Sequence, residues 1–85
     1  MMYDVAWEPR AIDRLTEIWL VTDDRASVNR AAFELDGILA QRPLRFGESR
    51  SSSVHRTAFV PPLGIEYTVV EDDKKVSILW VWSIE

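Results

Sequence analysis

The chain contains no cysteine, which excludes disulfide staples and thiolate metal sites and leaves the redox compartment open. It has no long apolar run. The longest uninterrupted one is Ile78 to Trp82, whereas a bilayer-spanning helix takes about 20 residues. The opening Met1-Met2-Tyr3-Asp4-Val5 has neither the basic region nor the apolar core of a signal peptide. A soluble, cytoplasmic protein with no membrane partner is the expectation. There is no internal repeat, and no low-complexity tract beyond a short serine-rich run at 49–53. Positive charge is also scarce. The net charge is −4, which argues against non-specific nucleic-acid binding by the whole surface.

What is present suffices for one core. The 85 residues fit one domain, spanning 1–85, with 47% apolar and 11% aromatic content. A chain of this size buries roughly 60–65% of its unfolded surface. The four Trp and three Phe supply much of that burial. The charges are segregated: residues 1–40 and 61–85 are acidic, and only 41–60 is basic, through Arg42, Arg45, Arg50 and Arg56. The same stretch holds the only histidine, His55.

Periodicity orders the chain. Tyr3–Trp7 alternates as a half-buried strand does, and Pro9 suits the first turn of a helix. Ala11, Ile12, Leu15, Ile18 and Trp19 predict a helix over about 10–21. Asp24 or Ser27 caps a second helix with the stripe Val28, Ala31, Ala32, Leu35, Ile38 and Leu39. That helix ends near Gln41, ahead of Pro43, and the short connection predicts an antiparallel helical hairpin. A loop is expected from Leu44 to Ser53. Strands are expected over Val54–Val60, Leu63–Val70 and Val76–Trp82, separated by Pro61-Pro62 and Asp72-Asp73.

The fold class is therefore α+β, a helical hairpin on a four-stranded, mostly antiparallel sheet in the order β-α-α-β-β-β. Strict alternation in the last strand sends Val76, Ile78, Trp80 and Trp82 to one face. On that reading Trp80 and Trp82 pack against the first helix and Trp19.

These residues resemble the RelE/ParE superfamily of type II toxin–antitoxin toxins, a plasmid-stabilisation type of system. The likeness rests on the opening strand with Glu8-Pro9-Arg10-Ala11, on Ile38-Leu39 with Pro43 and Gly47, and on Arg50 and Arg56. It continues through Pro62-Leu63, Ile65, Tyr67, Val69, Asp72-Asp73 and Val76-Ser77-Ile78-Leu79. The resemblance implies a bacterial toxin held by a cognate antitoxin, without metal or cofactor. It implies as targets either messenger RNA on the ribosome, cut by RelE-like members, or DNA gyrase, inhibited by ParE-like members; a homodimer is left open. The sequence departs from the RelE-type pattern at Gly64, where an arginine is expected three residues before the tyrosine. It departs again after the last strand, where Ser83-Ile84-Glu85 stand in place of basic, tyrosine or histidine residues. Non-nucleolytic action through protein contacts is the expectation. An RNase and a catalytically inert binding domain are the alternatives.

The candidate catalytic set is Arg50, His55 and Arg56. A histidine can act as base near neutral pH, and arginine clamps phosphate through its fork. On a regular strand, however, His55 and Arg56 point to opposite faces. Arg42 and Arg45, beside a helix C-terminus, are candidates for binding a partner or phosphate and equally suit the helix dipole. Trp80 and Trp82 are candidate partner-binding residues whose ordinary role is core. Stacking on bases would need nearby cations, which the local sequence does not supply. Tyr67 is expected as a core residue with its hydroxyl at the rim. Asp23-Asp24 and Asp72-Asp73 are turn residues rather than metal ligands.

Overall fold

The computed structural model describes residues 2–46, 48–49 and 55–84, with side chains at 45–49 not described. Strand β1 is Asp4–Trp7 and helix α1 is Pro9–Val21. Proline opens α1, where its missing N–H costs nothing. Helix α2, Arg25–Gln41, starts at Asp24, whose side chain accepts from the Ser27 N–H at 3.1 Å and the Ser27 hydroxyl at 2.6 Å. Those two bonds stabilise the carboxylate, so the Asp24 pKa falls below 3.8; the hydroxyl has the larger effect. Arg25 closes the preceding helix. Its guanidinium lies 4.2 Å from the Trp19 ring and donates to the Trp19 carbonyl at 3.0 Å.

The connector after α2 is more regular than a loop. It forms one helical turn, α3 (Pro43–Phe46), and a two-residue strand, β2 (Glu48–Ser49). Strands β3 (His55–Val60), β4 (Leu63–Val70) and β5 (Lys75–Ser83) follow. The sheet order is β1-β5-β4-β3-β2. Four strands carry it, with β2 as a short addition at one edge. Among the described strands only β1 runs parallel to its neighbour, matching Asp4–Trp7 to Lys75–Ile78. The β3–β4 turn contains a cis Pro61-Pro62 bond. The β4–β5 turn is closed by the Lys74 N–H on the Glu71 carbonyl at 3.1 Å.

The core lies between the helices and one face of the sheet. It unites Ala11 and Ile18 of α1, Val28, Ala31, Leu35 and Leu39 of α2, and Leu63, Ile65, Tyr67, Val69, Val76, Ile78 and Val81 of the last two strands. Helix α1 lies mainly along β5, while α2 spans β1, β4 and β3. Leu15 and Trp19 are only partly buried, and Ile12 is 50% exposed. The helical pair is thus open along its groove.

Strict alternation in β5 fails at one point. Tyr67 pairs with Ile78 but Glu66 pairs with Trp80, so Leu79 is an extra residue. This bulge reverses the phase of everything beyond it. Val76, Ile78 and Val81 face the core, and Trp80 and Trp82 turn to the other face. The expected packing of these tryptophans beside Trp19 is therefore corrected: a one-residue insertion moves every later side chain across the sheet.

Candidate functional site

The face of the sheet away from the core is built from the partners of Trp80 and Trp82. Gly64 pairs with Trp82, Glu66 with Trp80, and Phe59 with Gly64. Trp82 lies over Gly64 so closely that a Cβ there would meet its indole at 2.6 Å. Glycine is required for that approach. Phe59 stands edge-on to the same indole, 5.9 Å between centroids and 82° between planes. At position 64 this chain holds a tryptophan ring over a bare backbone.

Trp80 is covered differently. Arg10 and Arg14, one turn apart on α1, place their guanidinium carbons 5.0 and 6.0 Å from its ring centroid. Arg14 also pairs with Glu17 at 3.2 Å. The cations that the local sequence around Trp80 lacks thus arrive from the other end of the chain. Reading along the sequence missed Arg10 and Arg14, although their spacing of four residues placed both on one helix face.

The remaining candidates divide between the two faces. His55 is opposite Thr68 on the outer face, and its Nδ1 lies 3.7 Å from Glu66 Oε2. That separation exceeds hydrogen-bond length, and both side chains are about two-fifths exposed, 41% and 42%, so the pair adds little. Arg56 is opposite Tyr67 on the core face. Its Nη2 donates to the Leu44 carbonyl at 2.9 Å, and the Tyr67 hydroxyl donates to the Pro43 carbonyl at 2.7 Å. Two neighbouring cross-strand residues thereby hold α3 against the sheet. Tyr67 is fully buried, so its hydroxyl is not at the rim as expected. The described residues bring His55 to Glu66 and Arg56 to Leu44, but do not bring His55 and Arg56 together. Arg50 lies outside the described residues. Arg42 is exposed at the C-terminus of α2, where it lines a hollow of about 330 Å³ with Tyr3, Gln41, Pro43 and Leu44. Arg45 is on α3, and its side chain is outside the described set.

A second feature lies between the helices. Leu15, Thr16, Trp19, Val28, Asn29 and Ala32 line a cleft of about 240 Å³. Trp7, Ile12, Leu15, Ala32, Phe33 and Asp36 line another of about 450 Å³. Leu15 and Ala32 belong to both, so the two form one open channel. Its far wall is fixed by the Trp7 indole N–H donating to Asp36 at 2.8 Å. Phe33 is 79% exposed beside it.

No family model matches this sequence, and no curated protein matches it. Solved structures do match the fold from end to end. A chain of the RelBE2 toxin–antitoxin complex from Mycobacterium tuberculosis superposes with a TM-score of 0.78 at 20% identity, covering 100% of this chain and 95% of that one. The archaeal RelE–RelB complex from Pyrococcus horikoshii gives 0.73 at 20% identity, covering 99% and 97%. The chromosomal ParDE system of P. aeruginosa gives 0.72 at 19% identity, covering 99% and 98%. The chain has the RelE/ParE toxin fold.

Proposed function

We propose that this chain is the toxin component of a type II toxin–antitoxin pair, held in the cytoplasm by a small antitoxin and acting through protein contacts rather than RNA cleavage. The observation that carries the reading is the end-to-end likeness to chains of toxin–antitoxin complexes. Two features support the non-nucleolytic part. In-line cleavage needs a base and cations on one surface. Strand β3 sends His55 and Arg56 to opposite faces, and Trp82 occupies the space above Gly64. The inter-helical channel is the seat that suits an apolar helix of the antitoxin, with Phe33 and Ile12 at its rim.

The test is induced expression with and without co-expression of any small protein encoded by an adjacent reading frame. Growth should arrest, messenger RNA should stay intact, and the partner should restore growth. The His55→Ala variant, alone or with Arg50→Ala, should arrest growth as the parent does. Phe33→Asp should still arrest growth but resist rescue. Messenger RNA cut at codon positions, with cutting lost in the His55 and Arg50 variants, would instead establish the ribonuclease. No arrest under any condition would leave an inert binding domain. Arg56→Ala alone is a poor discriminator, because it also releases the Leu44 carbonyl.

A further inference from the structure

Strand β5 is longer than the strand beside it. Strand β1 ends at Trp7, opposite Ile78, and the last rung on that side is the Glu8 N–H on the Ile78 carbonyl at 2.8 Å. From Leu79 to Ser83, no described strand pairs with this edge of β5. The overhang reads Leu-Trp-Val-Trp-Ser, without charge or proline. Exposed edges in natural sheets usually carry such blocking residues, because an open edge accepts any passing strand. The side chains at this edge are instead supplied by α1, whose Arg10 and Arg14 extend to the Trp80 ring.

We infer that the β5 edge from Leu79 to Ser83 receives an extended acidic segment of a partner protein as an added strand, with Arg10 and Arg14 taking its carboxylates. Main-chain pairing supplies affinity in this mode, and the side chains beside the edge supply choice. Guanidinium forks bind carboxylates in bidentate fashion; Arg14 already holds one, Glu17 at 3.2 Å. The same pair disfavours a second copy. Self-pairing about a two-fold axis would bring both arginine pairs together, with no acid between Leu79 and Ser83 to meet them and only Glu17, 3.2 Å from Arg14, beside them. A polyanion such as RNA is opposed by the net charge of −4. A short segment bearing one or two carboxylates meets the arginines without that long-range penalty. The inference does not depend on the toxin reading.

The experiment uses the full chain and two synthetic ten-residue peptides, one alternating Val with Glu and one alternating Val with Lys. Amide exchange is followed residue by residue by NMR. The acidic peptide should slow exchange at outward-pointing amides between Leu79 and Ser83, and salt should weaken its binding. Arg10→Glu with Arg14→Glu should weaken the acidic peptide about tenfold or more and transfer preference to the lysine peptide. Arg10→Gln with Arg14→Gln should abolish preference between the two. Both arginines lie outside the core cluster, so these variants retain the fold. Equal protection by both peptides, a preference that survives charge reversal, or protection confined to β1 would overturn the inference. So would sedimentation as a dimer that disappears on mutating the β5 edge. Growth assays play no part, so the toxin reading can fail without deciding this result.

Discussion

The two faces of the β4–β5 hairpin are built by opposite means from one stretch of chain. On the core face, Leu63, Ile65, Tyr67, Val76, Ile78 and Val81 are buried against the helices, and the packing comes from their own bulk. On the outer face, the large side chains include Trp80 and Trp82. Each is covered by one special arrangement. Trp82 has a glycine beneath it and Phe59 at its edge; Trp80 has two arginines from α1. The core face is held by the burial of many side chains, so each truncation there costs its own share. The outer face depends on single residues, so changes there should have sharply position-specific effects.

The strongest challenge to that contrast is Tyr67→Ala. It empties a fully buried site and removes the bond to the Pro43 carbonyl. Urea unfolding should register a loss of about 3–5 kcal/mol. A loss below about 1 kcal/mol would mean that the core face is not tightly packed there. Next is Gly64→Val, on the outer face. Its side chain would enter the space of the Trp82 indole, so a loss of about 1–3 kcal/mol is expected. Trp82→Ala in the same chain should recover most of this loss, since it removes the clash. Additive losses in that double variant would disprove the direct collision.

Two smaller changes set the scale away from both faces. Asp24→Ala should lower the thermal midpoint at neutral pH by removing both bonds from Ser27. The folded pKa of Asp24 lies below 3.8, so its contribution is full above that value. The contribution fades as pH falls through the lowered folded value. The parent and variant should therefore converge in acid; a constant gap down the acid limb would assign the effect to something other than the carboxylate. The smallest change is Gly37→Ala, on an exposed part of α2 where an added Cβ meets nothing within 4 Å. It should stabilise by about 0.5–1 kcal/mol. Any loss would show that the position is not the open helix surface that the geometry describes.

Much of the fold could be read from spacing. The apolar periods placed both helices to within a residue or two, and Asp24 acted as the cap its position suggested. The strand expected over Leu63–Val70 is strand β4 with the same bounds. Spacing failed at Leu79, because a bulge is set by the partner strand and leaves no mark in a short run of apolar residues. The candidate site was less legible. Opposite directions for His55 and Arg56 follow from strand geometry alone, and the structure has them so. The destination of Arg56 at the Leu44 carbonyl does not follow, since it needed the unpredicted turn α3. Nor does the meeting of Arg10 and Arg14 with Trp80, which joins residues about 70 positions apart through the parallel β1–β5 contact.

The glycine under Trp82 also bears on which sequences are neighbours of this one. Any side chain at position 64 starts inside the space of the Trp82 indole, so a larger residue there needs the ring to move or to be replaced by a smaller one. The two positions are therefore coupled: what position 64 can accept depends on what position 82 holds.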